Sequence, residues 1–471
     1  MRADEGECVV GKSVKFAIIG AGSICFSPPT LADILRNKRF SELDRVNIYL
    51  MDISQEALDI SSAFCRRMVD KLDRKNVNIE SGTHLAKALA GADFVITAIE
   101  VDRYHYWSMD FHIPRRYGFR QIYGENGGPG GMFHTLRNLP PMLEIAHTME
   151  KECPDAWLLN YTNPETKLVE GLLRFSKVNV VGLCHGVEMG KEAVAQFMNM
   201  PKERIEVKAV GLNHFGWFTR LWDKKTGEDL YPRLKELERD MDWLAHWDEH
   251  ALPRIMLRTY GLWSYPGTNH VGEYIAWSDE MLASTKMQFF FDAASERPWE
   301  TRKTPEFVYS LSSNPTGRQL FNKENKLDGD PGYLQSFGAD VEDYNYADEY
   351  GIPIAESIFF DIPYEFSALN LPNHGYAKDL PDGMVIELPA KTDGKGIHAQ
   401  YSDPLPTAVA AMISTQGAIH KLVLDAYEER SRNKLLQAML LDPTISTYNN
   451  AVALIDEMCE RQKEVLPELH W

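Results

Sequence analysis

Two short segments carry residue types that could do chemistry together. Gly182-Leu183-Cys184-His185-Gly186 ends an apolar run, 178–183, of the kind that forms a buried parallel strand. Cys184 should therefore stand at the carboxyl edge of a sheet, where ligands bind in open α/β folds. Further along comes Gly211-Leu212-Asn213-His214-Phe215-Gly216-Trp217. A cysteine and a histidine brought together from two loops could hold one divalent ion and leave positions open for substrate oxygens. Each residue also has a plainer use, Cys184 as a small buried hydrophobe and His214 as a hydrogen-bonded core residue.

A second constellation lies nearer the N-terminus. Residues 15–20 form an apolar run ending in glycine, Gly20-Ala21-Gly22-Ser23 continues it, and Asp52 closes a second apolar run over 46–52. Two glycines permit a tight turn and close approach of backbone to a pyrophosphate, while the next helix N-terminus offers N–H donors and a positive dipole. The Asp52 carboxylate would accept hydrogen bonds from the adenosine ribose, favouring NAD over a 2′-phosphorylated cofactor. Cys25 stands where a third fingerprint glycine would be. A bare Gly-x-Gly is also a simple βα turn, and Asp52 could be a strand-end acid or a helix N-cap. The order strand, turn, helix, strand, acid favours a dinucleotide.

These residues need elements to position them. Apolar runs over 15–20, 46–52, 94–99, 157–161 and 178–183 predict buried strands. Helical patterns lie between them, at 29–37 and from the second strand to about 73. Alternation of this kind predicts a Rossmann-type doubly wound parallel sheet. After about residue 200 it stops: 233–260 looks helical, 385–389 reads as a strand, and 405–467 is amphipathic helix broken near Asp442-Pro443. The expected plan is an N-terminal extension over 1–12, a Rossmann domain over 13–200, and a larger α+β domain over 201–471 for substrate, metal and oligomerisation. Residues 285–345 show no clear periodicity.

Composition narrows the function. Fifty Lys and Arg against 68 Asp and Glu give a formal net charge of −18, which disfavours nucleic acid because phosphate-backbone binding needs a basic face. No stretch reaches the ~18 uninterrupted apolar residues of a membrane span. The acidic start, Met1-Arg2-Ala3-Asp4-Glu5, does not read as a secretory signal. Six cysteines without close pairing predict a reducing, cytoplasmic compartment rather than a disulfide framework.

Taken in order, Gly20-Ala21-Gly22-Ser23, Gly128-Pro129-Gly130-Gly131, Asn160-Tyr161-Thr162-Asn163-Pro164, Gly182-Leu183-Cys184-His185-Gly186 and Gly211-Leu212-Asn213-His214 make a specific set. With this order and spacing the chain closely resembles glycoside hydrolase family 4. The likeness continues through Asn370-Leu371-Pro372-Asn373-His374-Gly375 and Glu387-Leu388-Pro389 to Leu466-Pro467-Glu468-Leu469-His470. The resemblance implies a lactate/malate-dehydrogenase-like domain plan and a homodimer or homotetramer. It also implies a glycosidase that uses NAD and a divalent metal, usually Mn²⁺, in place of two carboxylates. In the family's mechanism C3 of the sugar is oxidised by NAD⁺, a base removes the acidified C2 proton, the glycosidic oxygen is eliminated from C1, water adds back, and NADH returns the hydride.

The same resemblance assigns residues. Cys184 and His214 are the expected metal ligands, and Gly20, Gly22, Ser23 and Asp52 the cofactor-binding residues. Asn163 is expected to contact the sugar, or else to be a turn residue before Pro164. His185 would serve as acid or hydrogen-bond the sugar. Tyr265 is the expected base, needing its usual pKa of about 10 lowered by metal and nearby cations; its alternative is aromatic packing on Trp263. Other members of the family place an aspartate near the position of Thr268 for the same role as base. His270 and Glu273 could contact substrate or pair with each other. Trp107 falls where phospho-specific relatives carry a phosphate-gripping arginine, so its indole would suit an unmodified sugar, although Arg103 lies four residues earlier and could substitute.

The resulting expectation is hydrolysis of an unphosphorylated α-galactoside, α-glucoside or α-uronide. Alternatives are a 6-phospho-glycosidase of the same family, an NAD-dependent sugar or hydroxy-acid dehydrogenase, and a non-catalytic sensor. The Cys-His-Gly triplet resembles α-glucosidases and α-glucuronidases, whereas His270-Val271-Gly272-Glu273-Tyr274 is nearer the α-galactosidase type, so the sugar stays open.

Overall fold

The computed structural model describes residues 12–22, 27–240, 250–281 and 349–471. Ser23, Cys25, most of the 1–12 extension and the 285–345 stretch lie outside the described residues.

The predicted strands form with small shifts at their ends: β1 (Ser13–Ile19), β2 (Arg45–Met51), β4 (Phe94–Thr97), β5 (Trp157–Asn160) and β6 (Asn179–Gly182), joined by β3 (Val77–Gly82), which the apolar pattern did not reveal. All pair in parallel. Because side chains alternate along a strand, β1 sends Phe16 and Ile18 into one apolar cluster and Ala17 and Ile19 into another on the opposite face. Burial on both faces is why these strands read as unbroken apolar runs rather than as alternation. The helix Gln55–Lys71 starts where Ser54 Oγ accepts the Ala57 N–H, with Glu56 in its first turn and Lys71 in its last, as the helix dipole favours.

The second half adds β7 (Ile205–Leu212), β8 (Phe215–Asp223), β9 (Ser264–Tyr265), β10 (Tyr364–Pro372), β11 (Val385–Asp393) and β12 (Gly396–Ala399). Its strands extend the first sheet in the order β3-β2-β1-β4-β5-β6-β10-β11-β7-β8-β9, with β12 beside β11. The sheet thus runs unbroken across residue 200, and the added strands pair antiparallel. Register partners link Gly82, Met51, Ile19, Thr97, Asn160, Gly182, Asn370, Glu387, Gly211, Gly216 and Tyr265 into one row across the whole sheet. Residues of such a row share a face.

Helices Tyr231–Asp240 and Ala251–Tyr260 occupy the region expected to be helical, with 241–249 outside the described residues. The C-terminal pattern becomes three helices, Thr407–Glu429, Arg432–Leu441 and Tyr448–Arg461. The expected break falls at Asp442, whose Oδ1 accepts the Thr444 N–H at 2.9 Å. Among the described residues no helix is long and apolar enough to cross a membrane.

The C-terminal helices are tied to the long helix Gly128–Glu152 by a buried charge. Arg137 donates to Asp110 at 2.7 Å and to Gln462 Oε1 at 2.8 Å, with both ionic side chains fully buried. Removing one member leaves the other charge unpaired in the interior. Arg137→Met is therefore expected to cost about 3–5 kcal/mol in urea unfolding. A loss below about 1 kcal/mol would reduce the pair to the worth of a surface bridge.

Candidate active site

Polar residues gather at the carboxyl ends of the parallel strands, where the second-half strands join. At the β1 end, Gly20 adopts φ +84°, and a Cβ there would lie 2.3 Å from Ala98 O. Glycine is required by both conformation and space. Asp52 Oδ2 accepts the Gly22 N–H and Oδ1 the Ser54 N–H, each at 2.9 Å. Asp52 thus locks the two-glycine turn, while Ser54 takes the N-cap role. A carboxylate has about four acceptor positions, so ribose hydroxyls remain within its capacity.

Beyond β4, Glu100 receives His134 Nε2 at 2.8 Å and Arg103 Nη1 at 3.1 Å. Burial alone would raise its pKa, but His134, Arg103 and Arg137 outweigh that and hold it at about 2. Asn138 Nδ2 donates to Glu100 and to the Asn163 carbonyl, at 3.1 and 2.8 Å, which fixes the turn bearing the half-buried Asn163. Arg103 Nη2 reaches Glu125 at 2.5 Å, and the guanidinium lies 4.5 Å from the centroid of Trp107. Trp107 is buried, with its indole N–H on Tyr123 O at 3.0 Å. One face of the indole is covered by Arg103, whose guanidinium is paired with Glu100 and Glu125.

His214 sits in the two-residue turn between β7 and β8 at φ +66°, a left-handed conformation uncommon outside glycine. Asn213 is anchored from both sides, its N–H donating to Thr166 Oγ1 and its carbonyl accepting from Tyr274 Oη, each at 3.2 Å. The turn brings His214 to Glu125 and His270, and one ligand atom from each lies within 4.8 Å of the others. The two imidazoles are 4.2 Å apart between centroids. Burial, then the neighbouring His270, His185, Arg103 and Lys167, pushes the His214 pKa well down, and the Asn126 amide nitrogen lies 2.8 Å from its Nδ1. Glu273 does not serve as His270's helical partner in this arrangement. It accepts the Glu125 and Asn126 N–H groups at 2.6 and 3.0 Å and so holds the loop that bears Glu125. Burial and the Glu125 charge raise its pKa to about 8.

Cys184 lies outside that three-residue group. Its sulfur accepts the Gly186 N–H at 3.3 Å, and burial followed by the Glu387 charge pushes the thiol far up, so a thiolate there needs a cation. His185, beside it, is exposed on one side and 3.2 Å from Glu349. The Glu349 hydrogen bond raises its pKa against the effect of burial.

Tyr265 departs from expectation. Its ring stacks on Phe218 at 4.7 Å rather than on Trp263, and its hydroxyl donates to Glu387 Oε2 at 2.5 Å. Burial and then Glu387 drive the phenol well above its usual pKa. Burial raises Glu387 itself to about 7, partly offset by Tyr265, Asn213 and Asn370. Thr268, near the other assignment, caps Leu252 N–H at 3.1 Å.

Sequence reasoning missed Glu100, Glu125, His134, Lys167 and Glu349 as site residues. Glu125-Asn126 between Gly124 and Gly127, ahead of a long helix, was the available signal: an acid in a glycine-rich turn. The buried Lys167, its pKa lowered to about 8 chiefly by burial, donates to Asn126 O and was masked by its place on an amphipathic helix.

A two-glycine turn at one sheet edge, a buried N/O cluster and a polar row beneath it define an α/β enzyme acting on a small polar molecule. The chain belongs to glycosyl hydrolase family 4: the family 4 glycosyl hydrolase model matches residues 15–200, and that of its C-terminal domain residues 209–445. It is 30% identical to an alpha-glucosidase of Erwinia rhapontici, over 96% of this chain and 98% of that protein. It is 29% identical to an alpha-galactosidase of Bacillus subtilis, over 96% and 99%. Among solved structures, a 6-phospho-alpha-glucosidase from gut microorganisms in complex with NAD and Mn²⁺ superposes with a TM-score of 0.76 at 23% identity, covering 98% of this chain and 100% of that one.

The Glu349 contact has a measurable consequence. A raised histidine pKa means that the attraction is fully present below the unfolded value of about 6.5 and is lost as pH rises through the higher folded value. Glu349→Gln should move the His185 imidazole titration, followed by NMR, downward. An unmoved midpoint would show that Glu349 does not govern it.

Proposed function

We propose that the protein hydrolyses an unphosphorylated α-glycoside with the help of NAD⁺ and a divalent metal, Mn²⁺, in a reducing, cytoplasmic compartment. One observation carries the choice of substrate. Arg103, the cation available to grip a sugar phosphate, is neutralised by Glu100 and Glu125 and stacked on Trp107. A dianionic phosphate would meet two carboxylates beside it. The similarity to an alpha-glucosidase and an alpha-galactosidase supports the same side.

The donor sets fit both groups. Gly20, Gly22 and Asp52, with Ser23, would hold the dinucleotide at the β1 end. Glu125, His214 and His270 form an oxygen and nitrogen set suited to Mn²⁺, and Cys184 would join once a cation lowers its thiol pKa. When bound, NAD⁺ supplies reversible oxidation at C3 and the metal stabilises negative charge on the neighbouring oxygens. The chain's own residues supply the proton chemistry. His185, whose protonated form the Glu349 hydrogen bond favours, donates to the departing glycosidic oxygen. Tyr265 removes the C2 proton. Asn163, positioned by Asn138, and His270 orient the sugar hydroxyls.

The deciding assay uses p-nitrophenyl α-glucoside, α-galactoside, α-glucuronide and α-glucoside 6-phosphate with Mn²⁺, NAD⁺ and reductant, then with each omitted. We expect release from an unphosphorylated substrate, no NADH accumulation, and solvent deuterium at C2 of the product. Stoichiometric NADH would instead identify a dehydrogenase, and preference for the phosphorylated substrate would overturn the reading of Arg103.

The metal set is tested without turnover. His270→Ala and Glu125→Gln should each weaken Mn²⁺ binding by about 10–100-fold in calorimetry while leaving NAD⁺ affinity unchanged. Cys184→Ser should do likewise if sulfur ligates, and unchanged affinity would remove Cys184 from the set.

A further inference from the structure

The row of register partners across the sheet contains an arrangement that single strands do not explain. Tyr265 and Glu387 are partners through two intervening strands: Tyr265 pairs with Gly216, Gly216 with Gly211, and Gly211 with Glu387. Side chains in one row normally stand side by side and block one another. Here both intervening residues are glycine. A Cβ on Gly216 would lie 2.1 Å from Tyr265 Cζ and 2.3 Å from its hydroxyl. A Cβ on Gly211 would lie 2.5 Å from Phe215 O, in a backbone with φ +148°. Gly190 makes room from the other side, where a Cβ would stand 2.6 Å from Tyr265 Cβ. The phenol therefore lies flat across the missing side chains, fully buried, with its hydroxyl 2.5 Å from the Glu387 carboxylate.

We propose that Glu387 is the positioning residue of the base: across the gap left by Gly211 and Gly216 it orients the Tyr265 hydroxyl and accepts its proton when Tyr265 takes the proton from C2 of the substrate. The inference rests on the reading above, that Tyr265 is the base. The step balances. The C2–H bond breaks and its electron pair remains on the oxidised sugar as an enediolate. That proton bonds to Tyr265 Oη, the former phenolic proton bonds to Glu387 Oε2, and one negative charge passes from Glu387 to the sugar. The phenol is fully buried and its hydroxyl donates to Glu387 Oε2, so the carboxylate stands where the departing phenolic proton must go. Asn370, the register partner of Glu387 on β10, stands beside the carboxylate in the same row.

The test uses the enzyme loaded with NAD⁺ and Mn²⁺ and a substrate carrying deuterium at C2. Glu387→Gln should lower kcat by about 100-fold or more, with KM within about threefold, and should raise the C2 isotope effect as proton removal becomes rate-limiting. Tyr265→Phe should lose a comparable amount. The double variant should be no more than about threefold worse than Tyr265→Phe alone, because both act in one step. Glu387→Asp should restore part of the loss. Should Glu387→Gln fail to fold, Gly216→Ala displaces the ring while keeping the carboxylate, and the same fall in kcat and rise in isotope effect are expected. The proposal is overturned if kcat of Glu387→Gln stays within about threefold of wild type, if the two losses multiply, or if kcat falls with no change in isotope effect. Wild-type turnover in D₂O without C2 exchange would overturn the base assignment and the relay together. Exchange in the wild type beside an unimpaired Glu387→Gln would overturn the relay alone.

Discussion

Everything at the site depends on the register of one sheet. Because side chains alternate with period two, a slip of a single residue between β6 and β10, or between β11 and β7, would turn Asn370 or Glu387 to the opposite face. Correct register places Thr97, Asn160, Asn370, Glu387 and Tyr265 on one face of one row. The glycines at 182, 211 and 216 open the space into which Glu165 and Tyr265 reach. A Cβ on Gly182 would lie 1.3 Å from Glu165 Oε1, so that carboxyl can be buried there only over glycine. The floor of the site is thus made of absent side chains as much as of present ones.

Above this floor the electrostatics are uneven. Glu165, Glu273 and Glu387 are raised chiefly by burial, whereas Glu100 is held down because His134, Arg103 and Arg137 converge on it. Two arginines near the site are held by particular acids, Arg103 by Glu100 and Glu125, and Arg137 by Asp110. The cluster of Glu125, His214 and His270 sets one carboxylate oxygen and two imidazole nitrogens within 4.8 Å of one another, the donor set we propose for the metal. The same accounting explains why a thiol at Cys184 and a phenol at Tyr265 both stay protonated in the protein's own field.

Much of the first half was legible because its signals are local. A strand buried on both faces is apolar throughout, and an apolar run ending in Gly20 or Gly182 locates both the strand and its functional end. β3 escaped because its residues alternate between exposed and partly buried, as at a sheet edge. β9 and β10 escaped because their pairings to β8 and β6 reach far along the chain, whereas β7 and β8 form a local hairpin that the apolar pattern did not reveal. Trp107 illustrates the same limit at the site: its position on the helix was readable, but its cover by Arg103 was not. Glu349 was invisible because nothing near it in the chain announces His185, and the glycine-rich turn that marks Glu125 does not announce His214 or His270.

By itself the sequence determined the parallel half-sheet, the two-glycine turn after its first strand, the family and the residue types able to do the chemistry, since these rest on spacing within a few tens of residues. Only the tertiary structure decided which of them meet. It grouped His214 with Glu125 and His270, set Glu349 beside His185, and laid Tyr265 across two glycines onto Glu387. The physical reason is that a hydrogen-bonded sheet transmits register across its whole width, so side chains far apart in the chain become neighbours through pairings that no local pattern encodes.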